Sequence, residues 1–136
     1  MTHVRMREGE STYMVTRRIT QGQNRLKPNR TTKQVVLYCA AYAAKQYNMA
    51  LHSLTVMSNH YHAIVSENAE DSDLSKFMMS FNGNVAKCLN LEYKVHENCW
   101  SNKPHHELRL ESQKQVLNAT VYAICNPVAA GLVRRP

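Results

Sequence analysis

The chain has 136 residues, 43% of them hydrophobic, which suits a single domain over residues 1–136 and leaves no run long enough to cross a bilayer. Its formal net charge of +7 points to nucleic acid or another polyanion as partner, with a merely solvated basic surface as the plainer alternative. Four cysteines at wide spacing (Cys39, Cys88, Cys99, Cys125) match no CxxC zinc pattern and argue for reduced thiols rather than a disulfide scaffold.

The first residues, "MTHVRMREGE", are too polar for a secretion signal, so a soluble cytoplasmic protein is expected, with residues 1–11 frayed. "TYMVTRRI", Thr12 to Ile19, is rich in β-branched residues and reads as a strand. "TQGQNRLKPNR" follows as a loop punctuated by Gly22, Asn24, Pro28 and Asn29. Thr31 with Gln34 three residues later fits the capping box of a first helix. Val35, Tyr38, Cys39, Tyr42 and Ala43 recur at three- and four-residue steps as its buried face, and Asn48 ends it. "ALHSLTVM" and "HYHAIVS" are two further strands joined by a tight turn at Ser58–Asn59.

A second helix spans "DSDLSKFMMSFNGNVAKCLNLEY", with Leu74, Phe77, Met78, Phe81, Val85, Cys88 and Leu89 as its stripe. Gly83 weakens it by roughly 1 kcal/mol relative to alanine; it either admits a close backbone or is simply tolerated. The irregular stretch after it holds a short strand near Cys99–Trp100 or Leu108–Leu110. Ser112 and Gln115 form a second capping box for a third helix to about Cys125. Pro127 interrupts that helix, and one more turn ends at Gly131. The order β-α-β-β-α-(β) is that of an α+β ferredoxin-like sandwich, an antiparallel sheet with helices on one face, and the last helix is an addition free to cross the open face.

In "SNHYHAIV", His60 and His62 stand two apart on a strand. They therefore project to one side, about 7 Å apart, while Tyr61 points to the other side, into the core. Imidazole is the commonest protein ligand for a metal, yet two histidines on a polar sheet face also arise by chance, and two ligands are few for a tight site. On the third helix Tyr122 and Asn126 are four apart and share a face. If that face meets the sheet, Asn126 supplies a third ligand and Tyr122 a nearby phenol. The plainer alternatives are a wet surface tyrosine, and an asparagine N-cap before Pro127.

At these residues the sequence resembles a known family. "MSNHYHAIV" is similar to the histidine–hydrophobic–histidine (HUH) motif of single-tyrosine transposases. "VYAICNPVAAGLV" resembles the tyrosine helix of the REP-associated tyrosine transposases, relatives of the insertion-sequence-200 type, and "YMVTRRITQGQ" resembles their first strand and loop. The likeness runs from about Tyr13 to Pro136. It implies a metal-dependent transesterase acting on single-stranded or hairpin DNA, which nicks and rejoins through a 5′-phosphotyrosine. It also implies Tyr122 as nucleophile, His60, His62 and Asn126 as ligands, and Mg2+ or Mn2+ as the metal. Histidine suits manganese better than magnesium.

Given such a substrate, Arg17, Arg18, Arg25, Lys27 and Arg30, the densest basic cluster, are expected to hold phosphates beside the cut; the alternative is a solvated loop. Trp100 reads as core ahead of base-stacking, and His105 and His106, adjacent on an extended chain, receive no role. Two rival functions stay open: a domesticated, non-catalytic binder of structured single strands, and a metal hydrolase for another phosphoester. Also open is whether the last helix serves its own sheet or that of a partner in a homodimer.

Overall fold

The structure, a computed structural model, describes residues 11–135. The expected fraying of the first residues falls largely outside that range. Ser11 itself is buried, and its carbonyl accepts from the Glu67 N–H at 3.0 Å.

Four strands form one antiparallel sheet: β1 (Thr12–Arg18), β2 (Met49–Val56), β3 (His60–Glu67) and β4 (His106–Leu110), in the spatial order β2-β3-β1-β4. Helices α1 (Arg30–Gln46) and α2 (Leu74–Tyr93) cover one face. This is the α+β ferredoxin-like arrangement, with α3 (Gln113–Ala129) added after β4. The β2–β3 turn is closed by Met57 N–H donating to the His60 carbonyl at 2.8 Å, and this sets which β3 residues face which layer. Among the described residues no helix is long and apolar enough to cross a membrane.

The core lies between the sheet and α1/α2. Val15, Tyr61, Ala63 and Val65 from the strands meet Phe77, Phe81, Val85 and Leu89 of α2, and Val36, Cys39, Ala40 and Ala43 of α1. The expected α2 stripe is buried as read, except that Cys88 is only partly covered. All four cysteines are free, and burial pushes the Cys39 thiol up to about 11, which keeps it protonated and unreactive. Trp100 is a core residue: it is buried, and its indole donates to the Asn82 carbonyl at 2.8 Å.

Several local expectations are corrected. Helix α1 is capped by Asn29, whose side chain accepts from Thr32 N–H at 2.8 Å, not by Thr31; asparagine is the stronger N-cap. Its buried face is Thr32, Val36, Cys39, Ala40 and Ala43, while Tyr38 and Tyr42 are exposed and stack on each other. The alanines let the helix lie close to the sheet, and the bulky tyrosines turn outward. Helix α1 ends at Gln46, with Asn48 at φ 50°, a left-handed conformation that asparagine tolerates. Gly83 meets nothing within 4 Å of a built Cβ, so it is tolerated rather than required. Both short-strand candidates occur, Leu108–Leu110 within β4 and Trp100 as an isolated bridge to Ile19.

Helix α3 runs through Pro127 without a break. The proline sits in the last turn, where the hydrogen bond it cannot donate is one of the final few. Ala130 N–H to the Asn126 carbonyl and Leu132 N–H to the Pro127 carbonyl, both 2.9 Å, close the end at Gly131, φ 72°.

Candidate functional site

Alternation along β3 sends Tyr61 and Ala63 into the α1/α2 layer and His60 and His62 to the opposite face. Tyr61 is 1% exposed and its hydroxyl donates to Asn82 Oδ1 at 2.7 Å. Burial raises its pKa, so it stays a protonated core phenol. On the other face the His60 and His62 rings stand edge to face, centroids 5.0 Å apart.

Each imidazole has a partner that orients it. His60 Nδ1 lies 2.7 Å from Asn59 Oδ1, an acceptor, so Nδ1 carries the proton and Nε2 the lone pair. His62 Nδ1 lies 2.8 Å from Thr16 Oγ1, and its Nε2 is 3.0 Å from Asn126 Nδ2. An amide N–H donating to Nε2 leaves Nδ1–H to donate to the threonine. This is the outer-shell pattern by which metal-binding histidines are held. Burial lowers both pKa values, His62 to about 4, helped by its neighbour His60 and by Arg18. Both rings are therefore neutral near pH 7; the His62 Nε2 lone pair is taken by the Asn126 amide, which must turn away before that nitrogen can meet a cation.

The link from β4 to α3 is only Glu111 and Ser112, because β4 takes up residues that the sequence left irregular. Ser112 Oγ accepts from Gln115 N–H at 3.2 Å, and Gln115 Oε1 accepts from Glu111 N–H at 2.7 Å. The turn lays α3 back over the histidine face of its own sheet. There Tyr122 meets His62 edge-on, ring centroids 5.7 Å apart at 72°, while remaining 57% exposed. Asn126 is part of the continuous helix and reaches His62, so the N-cap alternative falls.

The structure thus brings together His60, His62, Tyr122 and Asn126. Among the described residues no group of three or more His, Cys, Asp or Glu side chains offers a metal site. Two imidazole nitrogens, with the Asn126 amide turned to present its oxygen, fit a weakly held divalent cation with open positions.

The basic cluster divides. Arg18 is exposed and pairs in register with His60. Arg17 instead donates to the carbonyls of Lys103 (2.6 Å) and Ser101 (3.2 Å) and lies over the Trp100 ring. Arg25 is buried, donating to Gln23 Oε1 at 2.8 Å, with Glu97 3.7 Å away. Lys27 and Arg30 are exposed at the start of α1, in a segment tied to the β2–β3 turn by Leu26 N–H to the Ser58 carbonyl, 2.8 Å. Sequence reasoning missed Thr16 and Asn59. Asn59 was legible as the polar neighbour of His60; Thr16 depends on the β1–β3 register, which no local signal carries.

Solved structures share the fold. One is a REP-associated tyrosine transposase bound to a REP hairpin, at TM-score 0.72 and 18% identity over 91% of this chain and 70% of that one. Another is a Deinococcus radiodurans chain assigned as a transposase, at TM-score 0.61 and 13% identity over 97% of this chain and 98% of that one. No curated protein sequence matches the chain. The sequence profile of IS200-like transposases matches residues 12–107, well over half of the chain, and the chain belongs to that family. The match ends inside β4, so α3 and its tyrosine lie beyond it.

Proposed function

We propose that the protein is a metal-dependent single-stranded DNA transesterase that nicks and rejoins DNA at hairpin-associated sites. The observation that carries this reading is the Tyr122 ring set against His62, whose neutral imidazole is oriented by Thr16 and Asn126. Membership of a transposase family and a fold-relative bound to a REP hairpin support it.

In this reading Tyr122 Oη attacks a backbone phosphorus. The O–P bond forms as the bond to the 3′ oxygen breaks, leaving the 5′ end as a phosphotyrosine and a free 3′-hydroxyl. The exposed phenol gives its proton to water, and the leaving oxygen takes one back. The ester retains the energy of the phosphodiester, so a 3′-hydroxyl can later reverse the step without ATP. A divalent Mg2+ or Mn2+ ion on His60, His62 and Asn126 would supply offsetting charge at a non-bridging phosphate oxygen. Arg18, Lys27 and Arg30 hold flanking phosphates. Arg17 and Arg25 act indirectly, by fixing the loops to which they are bound.

Incubation with a pool of labelled hairpin oligonucleotides in manganese tests the proposal. The wild-type chain is expected to give a protein–DNA adduct that survives denaturing gels and maps to Tyr122, and Tyr122→Phe none. A Tyr122→Phe protein that still nicks would make water the nucleophile. Tight hairpin binding with no adduct would make the protein a non-catalytic binder.

A further inference from the structure

A cleft of about 420 Å³ opens on the histidine face beside the candidate site, within the size range of small-ligand pockets. It is lined by Thr16 and Arg18 of β1, His106 of β4, and Lys103, Pro104 and His105 of the segment between α2 and β4. Thr16 belongs to both places. Its hydroxyl contacts His62, and its Cα pairs with His62 on one side and His106 on the other. The row His106–Thr16–His62 therefore crosses three adjacent strands, about 10 Å from β4 to β3 at the usual strand spacing.

The cleft is cationic through Arg18 and Lys103, both exposed along it, with the His106 ring exposed beside them. Glu107 is engaged with His105 Nε2 at 3.2 Å. The wall that carries Lys103 is fixed in place. Ser101 N–H donates to the Arg18 carbonyl and Thr20 N–H to the Cys99 carbonyl, both at 2.9 Å. Arg17 grips the Lys103 and Ser101 carbonyls from behind, and the Trp100 indole anchors to Asn82. A wall already ordered spares the binding step the cost of immobilising a loop.

We infer that this cleft is a subsite for one nucleotide of the unpaired strand, next to the phosphate at the histidine pair. Arg18 and Lys103 take its backbone phosphate, His106 adds a hydrogen-bond donor, and the Pro104 ring supplies a flat apolar side. The inference rests on the reading of the histidine face as the place where DNA is cut. It gives that site a direction: the strand runs along the sheet from β3 toward β4, past the end of β1.

The test separates the two claims by working in the Tyr122→Phe background, where binding is read without chemistry. A fluorescein-labelled oligothymidylate is titrated by anisotropy over a range of salt concentrations in chelator. Lys103→Ala and Arg18→Ala are each expected to weaken binding roughly three- to tenfold at low salt. The double variant should also reduce the slope of log K against log salt by about 0.7, the value for one lost single-strand phosphate contact, and each single variant by less. Lys103→Arg should recover most of the loss, and Lys45→Ala, in the last turn of α1, should change nothing. Side chains this exposed are dispensable for folding, which unchanged melting checks. A Lys103→Ala protein indistinguishable from Lys45→Ala overturns the subsite and leaves the cleavage proposal standing. A loss at Lys103 in a protein whose wild-type form makes no adduct keeps the subsite and overturns cleavage.

Discussion

On the α1/α2 face of the sheet, Tyr61 is sealed among Phe81, Trp100 and Asn82. On the α3 face, Ala123 is the one fully buried residue of the helix, and Tyr122 is mostly in water. One strand, β3, serves both, with alternate residues facing each way. The sealed side holds the fold and keeps its phenol inert; the open side leaves the Tyr122 phenol in reach of solvent. A single chain thus keeps two tyrosines of opposite character by giving one a complete set of neighbours and the other almost none.

The contrast is broken hardest by Phe81→Ala, expected to cost about 3–5 kcal/mol in urea unfolding, against less than about 0.5 kcal/mol for Val121→Ala on α3. Equal costs would mean that α3 is as much a part of the core as α2. Tyr61→Phe leaves Asn82 Oδ1 without its donor in a buried place and should cost about 1–3 kcal/mol. Tyr122→Phe should leave stability within about 0.5 kcal/mol while abolishing the adduct.

A pH series sharpens the same contrast on the open face. In the folded, chelator-treated protein His62 stays neutral down to about pH 4, whereas an unfolded histidine titrates near 6.5. Between those values the unfolded chain binds more protons, so stability is full above pH 6.5 and declines as pH falls toward 4. His62→Gln should flatten that decline in urea midpoints; an unchanged slope would assign it to other groups. The smallest effect is a gain: Gly83→Ala, at an exposed helical position with open space for the methyl, should add about 0.5–1 kcal/mol.

What could be read in advance follows the range of the forces. Strands β1 to β3 and the α2 stripe were legible because alternation and helical period are local. The rotation of α1 was not, because its burial is decided by how closely Ala40 and Ala43 let it approach the sheet. Pro127 misled too: it removes one backbone hydrogen bond, but the Ala130 and Leu132 N–H groups carry the helix to its close just beyond it. At the site, the pairing of His60 with His62 and of Tyr122 with Asn126 was visible as spacing. The side on which α3 rests and the contact of Thr16 with His62 come from strand order and register, which are long-range. The contacts of Arg17 and Arg25 were hidden likewise, since a basic residue that donates to a neighbouring carbonyl and one that faces solvent look alike in sequence.

The grip of Arg17 on two backbone carbonyls changes how mutational scanning of this surface must be interpreted. Trimming that side chain would slacken the segment bearing Lys103, so in the proposed reading DNA binding would weaken although no phosphate had lost a direct neighbour. Affinity alone would enrol Arg17 among the residues that touch nucleic acid. In that reading it is a tie rod, whose removal is felt wherever the masonry it braces begins to lean.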